Sequence, residues 1–177
     1  MKTPKYPQVY ERQLGGLLVD AVKTRPVVYL NGPRQVGKST LVREACPGNY
    51  LSFDSPLLLS SASASPDAFL QSLPTDVLNI VDEVQLVPAL FRQLKRVVDE
   101  NRRIPKNASL FLLTGSANLL ALPKLSQALA GRMAVLTLLP FSAAERRRNG
   151  ENVLRRLTDE PLALRQFKKT DLAEVIE

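Results

Sequence analysis

The chain has 177 residues, 45% of them apolar and 23% charged, with a net charge of +7. That is enough for one sizeable core, and the composition is that of an ordinary globular protein. It has no histidine and one cysteine, Cys46, which excludes imidazole chemistry, an internal disulfide and a zinc quartet, and leaves a carboxylate as the expected general base.

In chain order, MKTPKYPQVY lacks the apolar core of a signal peptide, and no apolar run approaches the roughly 18 residues of a membrane span. The expectation is a cytoplasmic protein with no membrane contact. Residues 1–50 carry eight Lys or Arg against three Asp or Glu, so a basic face is open to nucleotide, nucleic acid or solvent. Residues 8–23 read as a helix, with Leu14, Leu17, Leu18 and Val22 on one side. A first strand follows at 27–30 and a first helix at 38–45. A second strand, 50–54, ends in a carboxylate. Residues 55–76 are rich in Ser, Pro and Ala and hold a helix at 66–73, with Pro66 in its first turn. The third strand spans 77–81. A helix over 88–100 places Leu90, Phe91, Leu94, Val97 and Val98 on one face. A fourth strand spans 110–113, a helix interrupted by Pro123 spans 118–129, and a fifth strand spans 133–138. Ser142 and Glu145 form a capping box for a short helix at 143–148. The charged tail offers Leu154, Leu157, Leu162 and Phe167 for modest packing. Short strands alternating with helices predict an α/β fold with a parallel sheet covered on both faces.

Between the first strand and first helix lies NGPRQVGKST, which contains G-x-x-x-x-G-K-[ST] in the strand–loop–helix setting that a phosphate loop needs. The loop residues Gly32, Pro33, Arg34, Gln35, Val36, Gly37, Lys38, Ser39 and Thr40 are the expected nucleotide cradle. Gly32 permits a tight turn, and Gly37 lets the backbone approach phosphate oxygens. Backbone N–H groups at the helix start meet the anion. Lys38 is expected at the β- and γ-phosphates of ATP, and the Ser39 hydroxyl on Mg²⁺. Arg34 is open to phosphate, a neighbour or solvent.

The third strand runs into Asp82-Glu83. Asp82 is the expected second Mg²⁺ partner, and Glu83 the base that activates water against the γ-phosphate. The fourth strand ends in Thr114-Gly115-Ser116, where Thr114 or Ser116 would sense the γ-phosphate if that strand lies between the first and third. The opposing reading of these tips is solvated acids and a Ser/Thr turn.

Together GPRQVGKST, IVDEVQLVPALF, LLTGSANLL and LAGRMAVLTLLPFSAAE resemble the prokaryotic ATPases of the AAA+ class. The likeness is to a broad family of uncharacterised bacterial and archaeal AAA ATPases that usually carry a further C-terminal domain, and it covers about residues 8–148. The resemblance implies a P-loop three-layer α/β/α sandwich with a five-stranded sheet of order 5-1-4-3-2. It also implies an Mg²⁺/water pair at Asp82 and Glu83, a polar sensor at Thr114, and a finger at Arg132 that reaches a neighbour's site in a homo-oligomer. The expected organisation is an ATPase core at 1–148 and a helical tail, or the start of a lid, at 149–177. The 36 residues after Phe141 are fewer than the family's lid and C-terminal domain need, so a fragment or a shortened relative is expected. Arg146, Arg147, Arg148, Arg155 and Arg156 stay equal candidates for a second sensor. The leading function is Mg-dependent ATP hydrolysis. The alternatives are a nucleotide-gated interaction or DNA-binding module with little turnover, and a small-molecule kinase. Guanine preference is disfavoured by the absence of [NT]-K-x-D and of D-x-x-G after the third strand.

Overall fold

The computed structural model describes residues 11–100, 110–116, 129 and 131–146. Arg12–Phe141 form one unit, and Ser142 onward belong to another.

The central strand β1 (Val27–Asn31) shows why the sheet is buried on both sides. Val27 and Tyr29 enter one apolar cluster while Val28 and Leu30 enter the other, and all four are fully buried. Alternation along a strand sends successive side chains to opposite faces, so a continuous apolar run needs cover on both. That cover is α1 (Leu14–Thr24) and α2 (Lys38–Ala45) on one face, through Leu18, Leu41 and Val42. On the other lie α3 (Pro56–Ala64), α4 (Pro66–Gln71) and α5 (Leu90–Glu100). The expected α5 stripe of Leu90, Phe91, Leu94, Val97 and Val98 is buried in full.

The strands β2 (Asn49–Ser52), β3 (Asn79–Asp82), β4 (Phe111–Gly115) and β5 (Met133–Thr137) complete a five-stranded parallel sheet of order β2-β3-β4-β1-β5. This is the three-layer sandwich and the 5-1-4-3-2 order that the resemblance implies. Register aligns Asn31 with Gly115 and with Thr137, and Ser52 with Asp82. The carboxyl ends of β1 to β4 therefore share one edge, where ligands bind in open α/β sheets.

Several boundaries differ from those expected. β2 stops at Ser52, because its hydroxyl accepts from Asp54 N–H (3.2 Å) and its carbonyl from Ser55 N–H (3.1 Å), which closes a turn. β3 begins at Asn79, whose side-chain amide donates to Pro74 O (2.8 Å); Val77 stays exposed. α5 begins at Leu90 because a 3₁₀ turn, Val84–Leu86, precedes it. α1 begins at Leu14, and Leu17 is exposed while Leu14, Leu18 and Val22 pack. The Ser/Pro/Ala stretch holds α3, which the composition concealed; Leu58, Leu59 and Ala62 seat it on the core. In the second unit, α6 (Ala143–Arg146) carries the expected capping box. Glu145 N–H donates to Ser142 Oγ (3.1 Å), and Ser142 N–H to Glu145 Oε2 (2.8 Å). The helix expected at 118–129, apart from Leu129 in a turn, and the tail beyond Arg146 lie outside the described residues.

A P-loop site at the carboxyl edge of the sheet

The loop between β1 and α2 turns on two glycines. A Cβ on Gly32 would stand 2.3 Å from the Leu138 carbonyl oxygen, so the loop passes too close to the chain after β5 for any side chain. Gly37 takes φ 91°, ψ 25° as the N-cap of α2, a left-handed conformation that L side chains resist. Gln35 also has a positive φ of 64°, which for a non-glycine residue costs about 1 kcal/mol or more. Positive φ at Gln35 and Gly37 is the kind of backbone from which concave anion-receiving loops are built.

Lys38 is buried, and its ammonium donates to Gly32 O (2.9 Å) and Pro33 O (2.7 Å). Burial holds its pKa below the ordinary lysine range, against the pull of Glu83 and then Asp82, with Arg34 adding to the depression. The loop thus carries a cation over its own carbonyls, beside a cleft of about 470 Å³ lined by Arg34, Gln35, Gly37, Lys38, Ser39, Thr40, Asp54 and Glu83.

Asp82 ends β3 and is almost wholly buried. Burial alone would raise its pKa. Hydrogen bonds from the hydroxyls of Ser39, Thr114 and Tyr50 and from Glu83 N–H outweigh it and keep the carboxyl below the usual range. The Thr114 hydroxyl donates to one carboxylate oxygen and the Tyr50 hydroxyl to the other, while Glu83 N–H donates to Oδ1 at 3.0 Å. An ionised carboxylate joined to Ser39 is a hard oxygen donor set of the kind Mg²⁺ takes, so the residues present fit that ion.

Glu83 adopts φ 58°, ψ 38°, a second strained non-glycine backbone, and its side chain lines the cleft. Of the expected residues, the structure brings Arg34, Gln35, Gly37, Lys38, Ser39, Thr40 and Glu83 to one cleft, with Asp82 and Thr114 joined directly behind it. Val36 turns its side chain into the core. Arg132 lies at the opposite edge, where its carbonyl accepts from Val27 N–H (3.3 Å). Its guanidinium makes two bonds to Asp99 of α5, at 2.7 and 3.1 Å.

Four residues were not singled out from sequence. Arg12 is buried and donates to Val36 O (2.8 Å) and Leu139 O (2.6 Å), with its guanidinium 4.2 Å from the centre of the Phe141 ring. Tyr50 joins Asp82 to Arg43, whose guanidinium lies 4.1 Å over the phenol ring. Asp54 lines the cleft, and the strand-end carboxylate was its only signal. Gln85 bridges Glu83 and Ser116.

A glycine-turned loop opening a helix, a buried lysine and a strand-end Asp-Glu pair on this sheet define a P-loop NTPase core of the AAA+ class. The AAA domain family matches residues 24–146, and the chain belongs to that family. Two curated relatives are the uncharacterized proteins Rv2008c of Mycobacterium tuberculosis and Mb2031c of Mycobacterium bovis, each 32% identical over 133 residues. The match takes in 73% of this chain but only 29% of either relative. Among solved structures, a DNA replication initiation factor aligns over 83% of this chain and 49% of its own, with a TM-score of 0.52 and 12% identity, a likeness of fold.

Proposed function

We propose that this chain binds ATP with Mg²⁺ and hydrolyses it, and that hydrolysis drives a conformational or remodelling step. The observation that carries the reading is Glu83, a cleft-lining carboxylate held in strained backbone one residue beyond the ionised Asp82. Strained residues persist where the surrounding structure over-determines them, commonly at active sites.

In this reading α2 and the loop amides bind the phosphates, and Lys38 exchanges a loop carbonyl for the β- and γ-oxygens. Ser39 and Asp82 would hold Mg²⁺, which neutralises charge on the β/γ oxygens. Thr114 and Tyr50 keep Asp82 ionised and oriented. Glu83 accepts a proton from water as the water oxygen bonds to the γ-phosphorus. The bond from that phosphorus to the β–γ bridging oxygen breaks, leaving ADP and phosphate.

The same reading places Arg132 as a finger acting on a second copy of the chain, with the Asp99 bonds as its resting state. It keeps residues 1–148 as the ATPase core, 149–177 as a tail, and a cytoplasmic setting. DNA or a protein is the proposed recipient of the conformational step, in line with the net charge of +7. The test is turnover of ATP and GTP with Mg²⁺, by the chain and by Lys38→Ala, alongside calorimetric titration. ATP turnover in the parent, with binding and turnover both lost in Lys38→Ala, is expected. Equal nucleotide affinity in the two would overturn the assignment.

A further inference from the structure

Gln85 sits in the 3₁₀ turn two residues beyond Glu83 and stands outside the lining of the cleft. Its side-chain amide bonds to Glu83 and to Ser116. Its amide nitrogen donates to the Glu83 carboxylate and to Ser116 Oγ (3.2 Å), and its amide oxygen accepts from Ser116 N–H (3.3 Å). The amide can face only one way. Ser116 N–H requires the oxygen on its side, which turns the NH₂ toward the carboxylate. Gly115, the last residue of β4, makes room for this bridge. A Cβ there would come within 2.7 Å of Gln85 Oε1 and 2.8 Å of the Tyr29 hydroxyl. Glu83, in its left-handed conformation, is thus held from behind by an amide that is itself fastened to the tip of β4.

We propose that Gln85 is a positioning residue for the reaction. It fixes the Glu83 carboxylate in the orientation that receives the proton of the attacking water, and it ties that orientation to the Ser116 end of β4. The inference rests on the hydrolytic reading above. It assigns the polar residue after the Asp-Glu pair a role that neither Asp82 nor Glu83 can perform alone, because a glutamate has three side-chain torsions and a misaligned base forfeits rate. Gly115 leaves room for the bridge and for the buried Tyr29 hydroxyl together.

The experiment compares the parent chain, Glu83→Gln, Gln85→Met and Gly115→Ala for ATP affinity by calorimetry and for single-turnover hydrolysis. Gln85→Met keeps length and volume but cannot donate to Glu83. Gly115→Ala leaves Gln85 in the sequence and displaces its flexible end, and because it also presses on the buried Tyr29 hydroxyl its folding stability is measured alongside. Both are expected to bind ATP within about twofold of the parent and to hydrolyse it about 10- to 100-fold more slowly. Gln85→Met should cause no further loss in the Glu83→Gln background, since there is then no base to orient. A merely structural glutamine would lower affinity or stability and would add its loss to that of Glu83→Gln. The inference is overturned if Gln85→Met hydrolyses at the parent rate while Glu83→Gln does not, an outcome that leaves the hydrolytic reading intact. If the parent and Glu83→Gln are equally inactive, the hydrolytic reading fails and takes the inference with it. If Gly115→Ala fails to fold, Gln85→Met with its double variant decides alone.

Discussion

The two edges of one sheet are built on opposite terms. At the carboxyl edge, Lys38, Asp82 and Thr114 are buried polar groups, and Gln35 and Glu83 hold positive φ. At the amino edge, Val27, Phe111 and Met133 open three strands on apolar side chains, the buried Asn79 is a neutral amide satisfied by Asn49 and Pro74, and Arg132 and Asp99 form a partly exposed ion pair. Buried charge and backbone strain oppose stability unless each group is satisfied. Their concentration at one edge, with hydrogen bonds spent on Asp82 from four directions, shows where the fold carries groups that its packing does not need. The clusters beneath, from Tyr29 and Leu30 to Leu94, supply the stability that tolerates them.

The comparison is qualified if the amino edge acts on a neighbouring copy, and it breaks if the carboxyl edge proves structural. A large effect is expected at Arg132. Its ion pair with Asp99 is partly exposed and is worth at most about 1 kcal/mol, so Arg132→Ala should fold and bind ATP normally. In assembled protein, however, it should hydrolyse ATP about 10³-fold more slowly if Arg132 acts on a neighbour. Mixing it with Lys38→Ala should restore part of the turnover, because each supplies what the other lacks. Parent-like turnover by assembled Arg132→Ala would reduce it to a tether between β5 and α5.

Leu94→Ala tests the packing between the edges. Leu94 is fully buried in the layer of α5, and its loss should reduce unfolding free energy by about 2–5 kcal/mol in denaturant titrations. ATP affinity of the folded variant should stay at the parent level; a parallel loss of affinity would mean that site and core are not separable.

Strain at Glu83 sharpens the contrast further. Glu83→Gly and Glu83→Ala both remove the carboxylate, but only glycine accepts φ 58° freely. Glu83→Gly should therefore be the more stable of the two by about 1 kcal/mol, with neither turning over ATP. Equal melting behaviour would deny that strain is stored there.

The smallest effect is on the acid limb of stability. The carboxyl of Asp82 is held below its ordinary range in the folded chain. Its contribution is fully present above the unfolded value near ~3.9 and is lost as pH falls through the lower folded value. Asp82→Asn should flatten the stability–pH slope in that window. An unchanged slope would show that other carboxylates govern it.

Much of this edge was legible in sequence because it is local. The glycine spacing, Lys38 and Ser39 lie within one loop, and Asp82 and Glu83 are adjacent. The strand order was implied by the family resemblance and matches the sheet. Contacts that cross the sheet were not legible. Tyr50 reaches Asp82 only because β2 pairs with β3 in a register that aligns Ser52 with Asp82. Gln85 reaches Ser116 across 31 positions, and Arg12 reaches Leu139 across 127. The Asp99 partner of Arg132 lies 33 positions away, on a helix whose apolar stripe drew attention from its polar side. α3 was hidden for a different reason: serine and alanine carry little periodic contrast, so the composition resembled a loop although Leu58, Leu59 and Ala62 seat a helix.

Glu83→Gln tests the central claim most directly, because it keeps the shape and hydrogen bonding of the side chain and removes only its capacity to take a proton. With saturating Mg·ATP, the variant should bind nucleotide as the parent does and hydrolyse it about 10²–10⁴-fold more slowly. Turnover at the parent rate, with binding unchanged, would contradict the account.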